Sequence, residues 1–182
     1  DKFVVGHVGR LHPQKNHDFL IDVFAELKKK KPNAELILVG TGPLEEKVKS
    51  KVAEKGFSGC VHFLGNRKDM NRIYQAMDVF VFPSLFEGLG IVAIEAQAVG
   101  VPIVCSEGLP PETDITPIYR KLLLSDGAEK WANAALEMEQ NPKAHTNMQQ
   151  YVIDAGFDMD ATAKYMEKYY LAKNELTIEE SR

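Results

Sequence analysis

Short apolar runs alternate along most of the chain with segments whose apolar residues recur every three or four positions. Residues 3–8, Phe-Val-Val-Gly-His-Val, form an apolar run with β-branched residues that ends at Gly9-Arg10, the pattern of a buried strand. Over 16–30, Phe19, Leu20, Val23, Phe24 and Leu27 fall at helical spacing. The basic tail 28–31 then complements the helix C-terminus ahead of Pro32. The same pattern predicts strands over 36–39, 60–64, 79–82, 102–105 and 119–124, with helices over 44–56, 68–75 and 90–99. An irregular loop separates the last two strands. Beyond them 128–139, 142–155 and 160–173 are helical by pattern, and the tail 175–182 is expected to fray. Strand and helix alternating at these connection lengths imply a parallel sheet covered on both faces, a doubly wound, Rossmann-like α/β domain of about six strands. That domain is expected to occupy residues 1–174.

With 182 residues and 45% hydrophobic content, the chain has apolar mass for one substantial core. Its formal net charge of -4 provides no global attraction to nucleic acid or to an anionic membrane, so any phosphate binding must be local. The Lys28 to Lys31 run reads as a solvated helix end. Cys60 and Cys105 sit in strand-like runs and read as reduced, buried thiols of a cytoplasmic protein. No apolar run approaches the roughly 20 residues that span a bilayer. The chain opens Asp-Lys-Phe-Val-Val and moves at once into a strand, as a domain cut from a longer protein would, with the missing part expected on the N-terminal side.

In an open parallel sheet the ligand sits outside the carboxyl ends of the strands, so the turns after strands one to four hold the candidates. Arg10 and Lys15 are separated by a loop containing Pro13 that lets both reach one anion. Arg supplies a planar fork matched to phosphate oxygens and Lys a compact charge. Gly88-Leu89-Gly90-Ile91 presents backbone N–H groups at a helix N-terminus, where unpaired donors and the helix dipole favour an anion. Glu87 stands before that turn and Glu95 two helical turns inside, so a ligand resting there has an acidic group at each end. That arrangement suits a sugar joined to a diphosphate, with Glu95 able to accept from a vicinal diol such as the ribose hydroxyls. His7 reads as a packed strand residue, and His12 has no ligand-spaced partners. Asp158-Met159-Asp160 looks like an Asp-x-Asp metal signature but is better explained as the cap of the last helix, so no metal site is expected. Trp131 belongs to a core stripe, and Tyr165, Tyr169 and Tyr170 to a core or docking face.

The run Gly9-Arg10-Leu-x-x-x-Lys15-Asn16, Pro83-Ser84, the Glu87-Gly88-Leu89-Gly90 to Glu95-Ala96 stretch with seven residues between its carboxylates, and Ala98-Val99-Gly100-Val101-Pro102 occur in one order. Together, over roughly residues 1–125, they resemble the C-terminal, donor-binding domain of GT-B-type retaining glycosyltransferases of family four, the glycosyl transferases group 1. The resemblance implies that Arg10, Lys15 and Glu87 are catalytic, the two cations holding the donor diphosphate and Glu87 contacting the sugar. It implies donor contacts from Gly9, from the amides of Gly88 to Ile91, and from Glu95 to the ribose. The Gly65-Asn66-Arg67 turn would face the nucleobase through its backbone, and Gly42 would line the cleft. The implied donor is a nucleotide diphosphate sugar, above all a UDP-sugar, with no cofactor and with Arg10 and Lys15 in place of a divalent ion.

Retention would follow same-face attack while the leaving phosphate helps deprotonate the acceptor. That acceptor, a glycan or a lipid-linked one, would be bound mainly by the absent N-terminal domain, which would also make any peripheral membrane contact. The isolated fragment would then bind donor without catalysis. Residues 106–117 depart from the usual family pattern of a Gly-Gly pair followed by Glu, with Glu112 as a possible counterpart. This departure resembles bacterial subfamilies that build capsule or exopolysaccharide units. Two other classes fit less of the pattern: a nucleotide-sugar epimerase or phosphorylase of the same fold, and a receiver-type binding module, which wants an acidic pocket where this chain has Arg10 and Lys15.

Overall fold

A computed structural model describes residues 2–179. Its six strands are β1 (Phe3–Val8), β2 (Ala34–Val39), β3 (Val61–Gly65), β4 (Val79–Phe82), β5 (Ile103–Ser106) and β6 (Tyr119–Leu122). They form one sheet in the order β3-β2-β1-β4-β5-β6, parallel at every pairing. Sequence order runs outward from β1 in both directions, which places the topological switch point between β1 and β4. Helices α1 (His17–Lys30), α2 (Glu45–Glu54) and α5 (Ala128–Glu139) share one apolar core with alternate strand residues such as Val5, Val79, Val81 and Val104. On the opposite face α3 (Met70–Gln75) and α4 (Ile91–Ala98) pack on Phe80, Phe82, Ile103 and Cys105. The period-two split of each strand between two cores is why the strands read as continuous apolar runs.

Side-chain hydrogen bonding decides where the helical pattern fails. Of the predicted stretch 142–155, only α6 (Gln149–Asp154) is helical. Ahead of it Asn141 accepts from the Lys143 amide at 3.0 Å, the Thr146 hydroxyl donates to the Lys143 carbonyl at 2.7 Å, and Asn147 accepts from the Gln149 amide at 2.8 Å. Such local bonds offer the backbone an alternative to helix. The last helix, α7 (Met159–Glu179), starts as expected with Asp158 accepting from the Asp160 amide at 2.9 Å. It continues beyond the expected end at 173, and residues 180–182 of the expected tail lie outside the described residues. Tyr165, Tyr169 and Tyr170 are exposed on it, whereas Trp131 is fully buried and donates to the Leu123 carbonyl at 2.9 Å. Cys105 is buried, and burial pushes its thiol up to about 12; Cys60 is only half-buried, in the turn ahead of β3.

The irregular segment between β5 and β6 is pinned by one buried amide. Gln97 Nε2 donates to the carbonyls of Ala93 and Thr113, at 3.0 and 2.9 Å, and its Oε1 accepts from the amide and the hydroxyl of Thr116. A buried side-chain amide is stable only when so satisfied, and its network ties residues 113–116 to α4.

Candidate active site

The β1–α1 loop is folded so that its two cations point different ways. Leu11 is buried as the loop's anchor, its amide donating to Thr41 and its carbonyl accepting from Leu44. Asn16 then takes a left-handed φ of 54°, which Asn tolerates, and opens α1. Arg10 is exposed at the strand end with no carboxylate partner among the described residues. The Lys15 stem folds back over Gly9, and its Nζ reaches Glu87 Oε1 at 2.6 Å and the Phe82 ring at 4.8 Å. Lys15 and Glu87 keep only 15% and 7% of their side-chain surface, so this ion pair is shielded from solvent.

Glu87 is held by backbone contacts from two directions. On one side the Leu85 amide donates to the Gln14 carbonyl and Gln14 Nε2 donates to the Phe86 carbonyl, both at 2.8 Å. On the other the Glu87 amide donates to the Gly108 carbonyl at 2.9 Å, while the Ser106 hydroxyl donates to the Ser84 carbonyl. Gly108 must be glycine for this approach, because a Cβ there would stand 2.4 Å from the Leu85 carbonyl oxygen. Gln14, Ser106 and Gly108 escaped the sequence reading. The only signal for Ser106 and Gly108 was that the 106–117 segment departs from the family pattern just after a strand end, and for Gln14 only its place in the loop after the first strand.

Gly90 follows at φ 73° and starts α4, whose first amides have no intrahelical acceptor. Gly88, Leu89, Gly90 and Ile91 thus form the turn and helix start predicted for them. One turn further in, Val92 and Glu95 face a cleft of about 520 Å³ whose other walls include Arg10, Thr41, Asn66 and Arg67. Glu95 Oε2 accepts from the Tyr74 hydroxyl at 2.8 Å.

The structure therefore gathers Gly9, Arg10, Asn66, Arg67 and Glu95 around one cleft at the switch point. Lys15 and Glu87 form their pair on the adjoining loops. Gly42 is elsewhere: a Cβ on it would meet the Leu11 carbonyl oxygen at 2.4 Å, so it serves the packing of two loops and is absent from the cleft wall. Gly65 is likewise set back, its carbonyl accepting from Gly40 at 2.8 Å. The Arg67 side chain is committed to Asp69 through two hydrogen bonds of 2.9 and 2.8 Å.

Beneath Lys15 lie two buried imidazoles. His7 donates its Nδ1–H to the Val81 carbonyl at 2.9 Å and meets His17 edge to face, ring centroids 4.7 Å apart. Burial first, then the neighbouring charge of Lys15, pulls His17 down to about 4; burial and then His17 pull His7 well below its ordinary value. Both are neutral near pH 7 and leave Lys15 and Arg10 as the cations at this strand end. Among the described residues no three His, Cys, Asp or Glu are grouped to hold a metal ion, and no helix is long and apolar enough to cross a membrane.

A parallel sheet ordered in this way, with its cleft at the switch point, is a doubly wound nucleotide-binding type of fold. Residues 1–155 match the model of the glycosyl transferases group 1, and the chain belongs to that family. A D-inositol 3-phosphate glycosyltransferase of Corynebacterium jeikeium is 34% identical over 182 residues, 92% of this chain and 43% of its own length. EpsF of Bacillus subtilis, named as a glycosyltransferase, is 36% identical over 133 residues, 72% of this chain and 35% of its own. Among solved structures, the sucrose-phosphate synthase of Thermosynechococcus elongatus superposes with a TM-score of 0.81 at 28% identity, covering 97% of this chain and 46% of that one. Anabaena HepE, solved with UDP-glucose, gives 0.78 at 24% identity over 94% of this chain and 49% of that one, a likeness of fold. The chain thus spans less than half the length of these relatives.

Proposed function

We propose that this chain is the donor-binding, C-terminal domain of a retaining glycosyltransferase that moves a sugar from a nucleotide diphosphate sugar, with UDP as the nucleotide, to a glycan or glycolipid. The carrying observation is the exposed, unpaired Arg10 sharing one cleft with Glu95, beside the Lys15–Glu87 pair and the free amides of α4. HepE was solved with UDP-glucose, which supports UDP as the nucleotide.

The chemistry follows from charge. Breaking the bond between the anomeric carbon and the phosphate oxygen leaves negative charge on the diphosphate, and donors fixed where that charge grows stabilise the transition state. Arg10 offers its free guanidinium fork. Lys15, held toward Glu87 by the ion pair, sits where phosphate oxygens can share its protons, and Glu87 is then released to accept from a sugar hydroxyl. Glu87 orients the sugar and is not assigned a nucleophile's part; the departing phosphate takes the acceptor proton on the same face. The acceptor belongs to a second, N-terminal domain, and membrane contact is peripheral through it. The bacterial capsule or exopolysaccharide setting rests on the 106–117 departure alone, and the cytoplasmic one on the reduced state read for Cys60 and Cys105.

The test is transfer by the full-length protein from labelled UDP-glucose to glycan and lipid-linked acceptors, with the anomeric configuration of the product read by NMR. Acceptor-dependent transfer with retention, persisting in EDTA, is expected. A sugar product formed without acceptor would defeat the transferase reading.

A further inference from the structure

The cleft carboxylate is not free. Glu95 is exposed on α4, where a long side chain ordinarily samples several rotamers, and fixing it costs a ligand binding free energy. Here one of its oxygens is already held by Tyr74, whose ring is 2% exposed and locked edge-on against Phe80 with centroids 6.2 Å apart. We propose that Tyr74 is a positioning residue for nucleotide recognition: it fixes Oε2 of Glu95 so that the other oxygen meets the ribose hydroxyls, making the cleft selective for ribonucleoside diphosphates. The inference rests on the reading above in which Glu95 takes the ribose.

Three observations carry it. Glu95 accepts the only hydrogen bond described for the Tyr74 hydroxyl, so the two groups are fixed to each other rather than to competing partners. Oε1 of Glu95 has no hydrogen-bond partner among the described residues, and Glu95 lines the cleft together with Val92 and Arg10. The phenol comes from α3 and the carboxylate from α4, so the bond spans the two helices that wall this side of the cleft. Burial, reinforced by Glu95, raises the phenol above its ordinary value, which keeps it a donor throughout the working pH range.

Calorimetry on the full-length protein with UDP and with 2′,3′-dideoxyuridine diphosphate separates this role from simple core packing. Tyr74→Phe keeps the ring and is expected to weaken UDP by about three- to tenfold, the span of one net hydrogen bond, while leaving the dideoxy analogue unchanged. Glu95→Gln should discriminate the same pair of ligands, and adding Tyr74→Phe to it should cost nothing more. Equal weakening of both ligands by Tyr74→Phe, or none, overturns the inference. Should that variant fail to fold, the phenolic carbon resonance of Tyr74 in the unsubstituted protein serves: it should move with UDP and stay in place with the analogue, and equal movement overturns the inference. Discrimination by Glu95→Gln without any by Tyr74→Phe defeats only the positioning role, whereas a Glu95→Gln that fails to discriminate defeats the ribose reading beneath it.

Discussion

Arg10, Lys15, Glu87 and Glu95 were all legible as single residues, because charged groups at strand ends of an α/β pattern have few structural uses. What each one touches was not legible. Lys15 turned out to be paired with Glu87 across 72 positions of sequence, and Arg67, picked for its place in a turn, spends its side chain on Asp69. His7 read correctly as packed, yet nothing in the spacing of His7 and His17 announced that their rings would meet under Lys15. Their burial makes a prediction. With His17 at about 4 in the folded chain against 6.5 when unfolded, the unfolded chain binds more protons between those values. Stability is therefore full above pH 6.5 and is lost as pH falls toward 4, with His7 adding in the same direction. Urea unfolding should show His17→Phe losing about 2–3 kcal/mol less than the parent chain between about pH 7 and pH 4.5. Identical losses in the two chains would mean that His17 is not held neutral by the fold.

Among the elements, those with strong periodicity were predicted almost to the residue: β1, α1, β4 and α5 match their expected ranges within a position or so. Failures fall where a side chain outbids the helix, as at Asn141 and Asn147, or where a loop has no period to read. The 106–117 segment is the costliest example, because its backbone braces the Glu87 loop through Gly108. Gly108→Ala should push the Leu85 carbonyl away and misplace Glu87, with a loss of about 1–3 kcal/mol in stability from overpacking. Under the proposed role of Glu87 in orienting the sugar, its affinity for UDP-glucose should fall more than its affinity for UDP. Equal loss for both ligands, measured by titration, would place the damage outside the sugar contact.

For the molecule as a whole, the doubly wound architecture followed from strand and helix alternation together with the right-handed rule for crossovers. The order β3-β2-β1-β4-β5-β6 supplies what that alternation leaves open: which two strands form the switch point. It puts the β1 and β4 turns side by side, so that Lys15 from one meets Glu87 from the other while Arg10 lines the neighbouring cleft, which brings two cations to one end of the sheet. The net charge of -4 makes this convergence more telling, because an acidic chain attracts a diphosphate only where cations are gathered locally. The most direct measurement is a calorimetric titration of UDP into the full-length protein at low salt. The account predicts one site, weakened by about 1.5–3 kcal/mol in each of Arg10→Ala and Lys15→Ala. Absence of UDP binding, or binding indifferent to both substitutions, would contradict it.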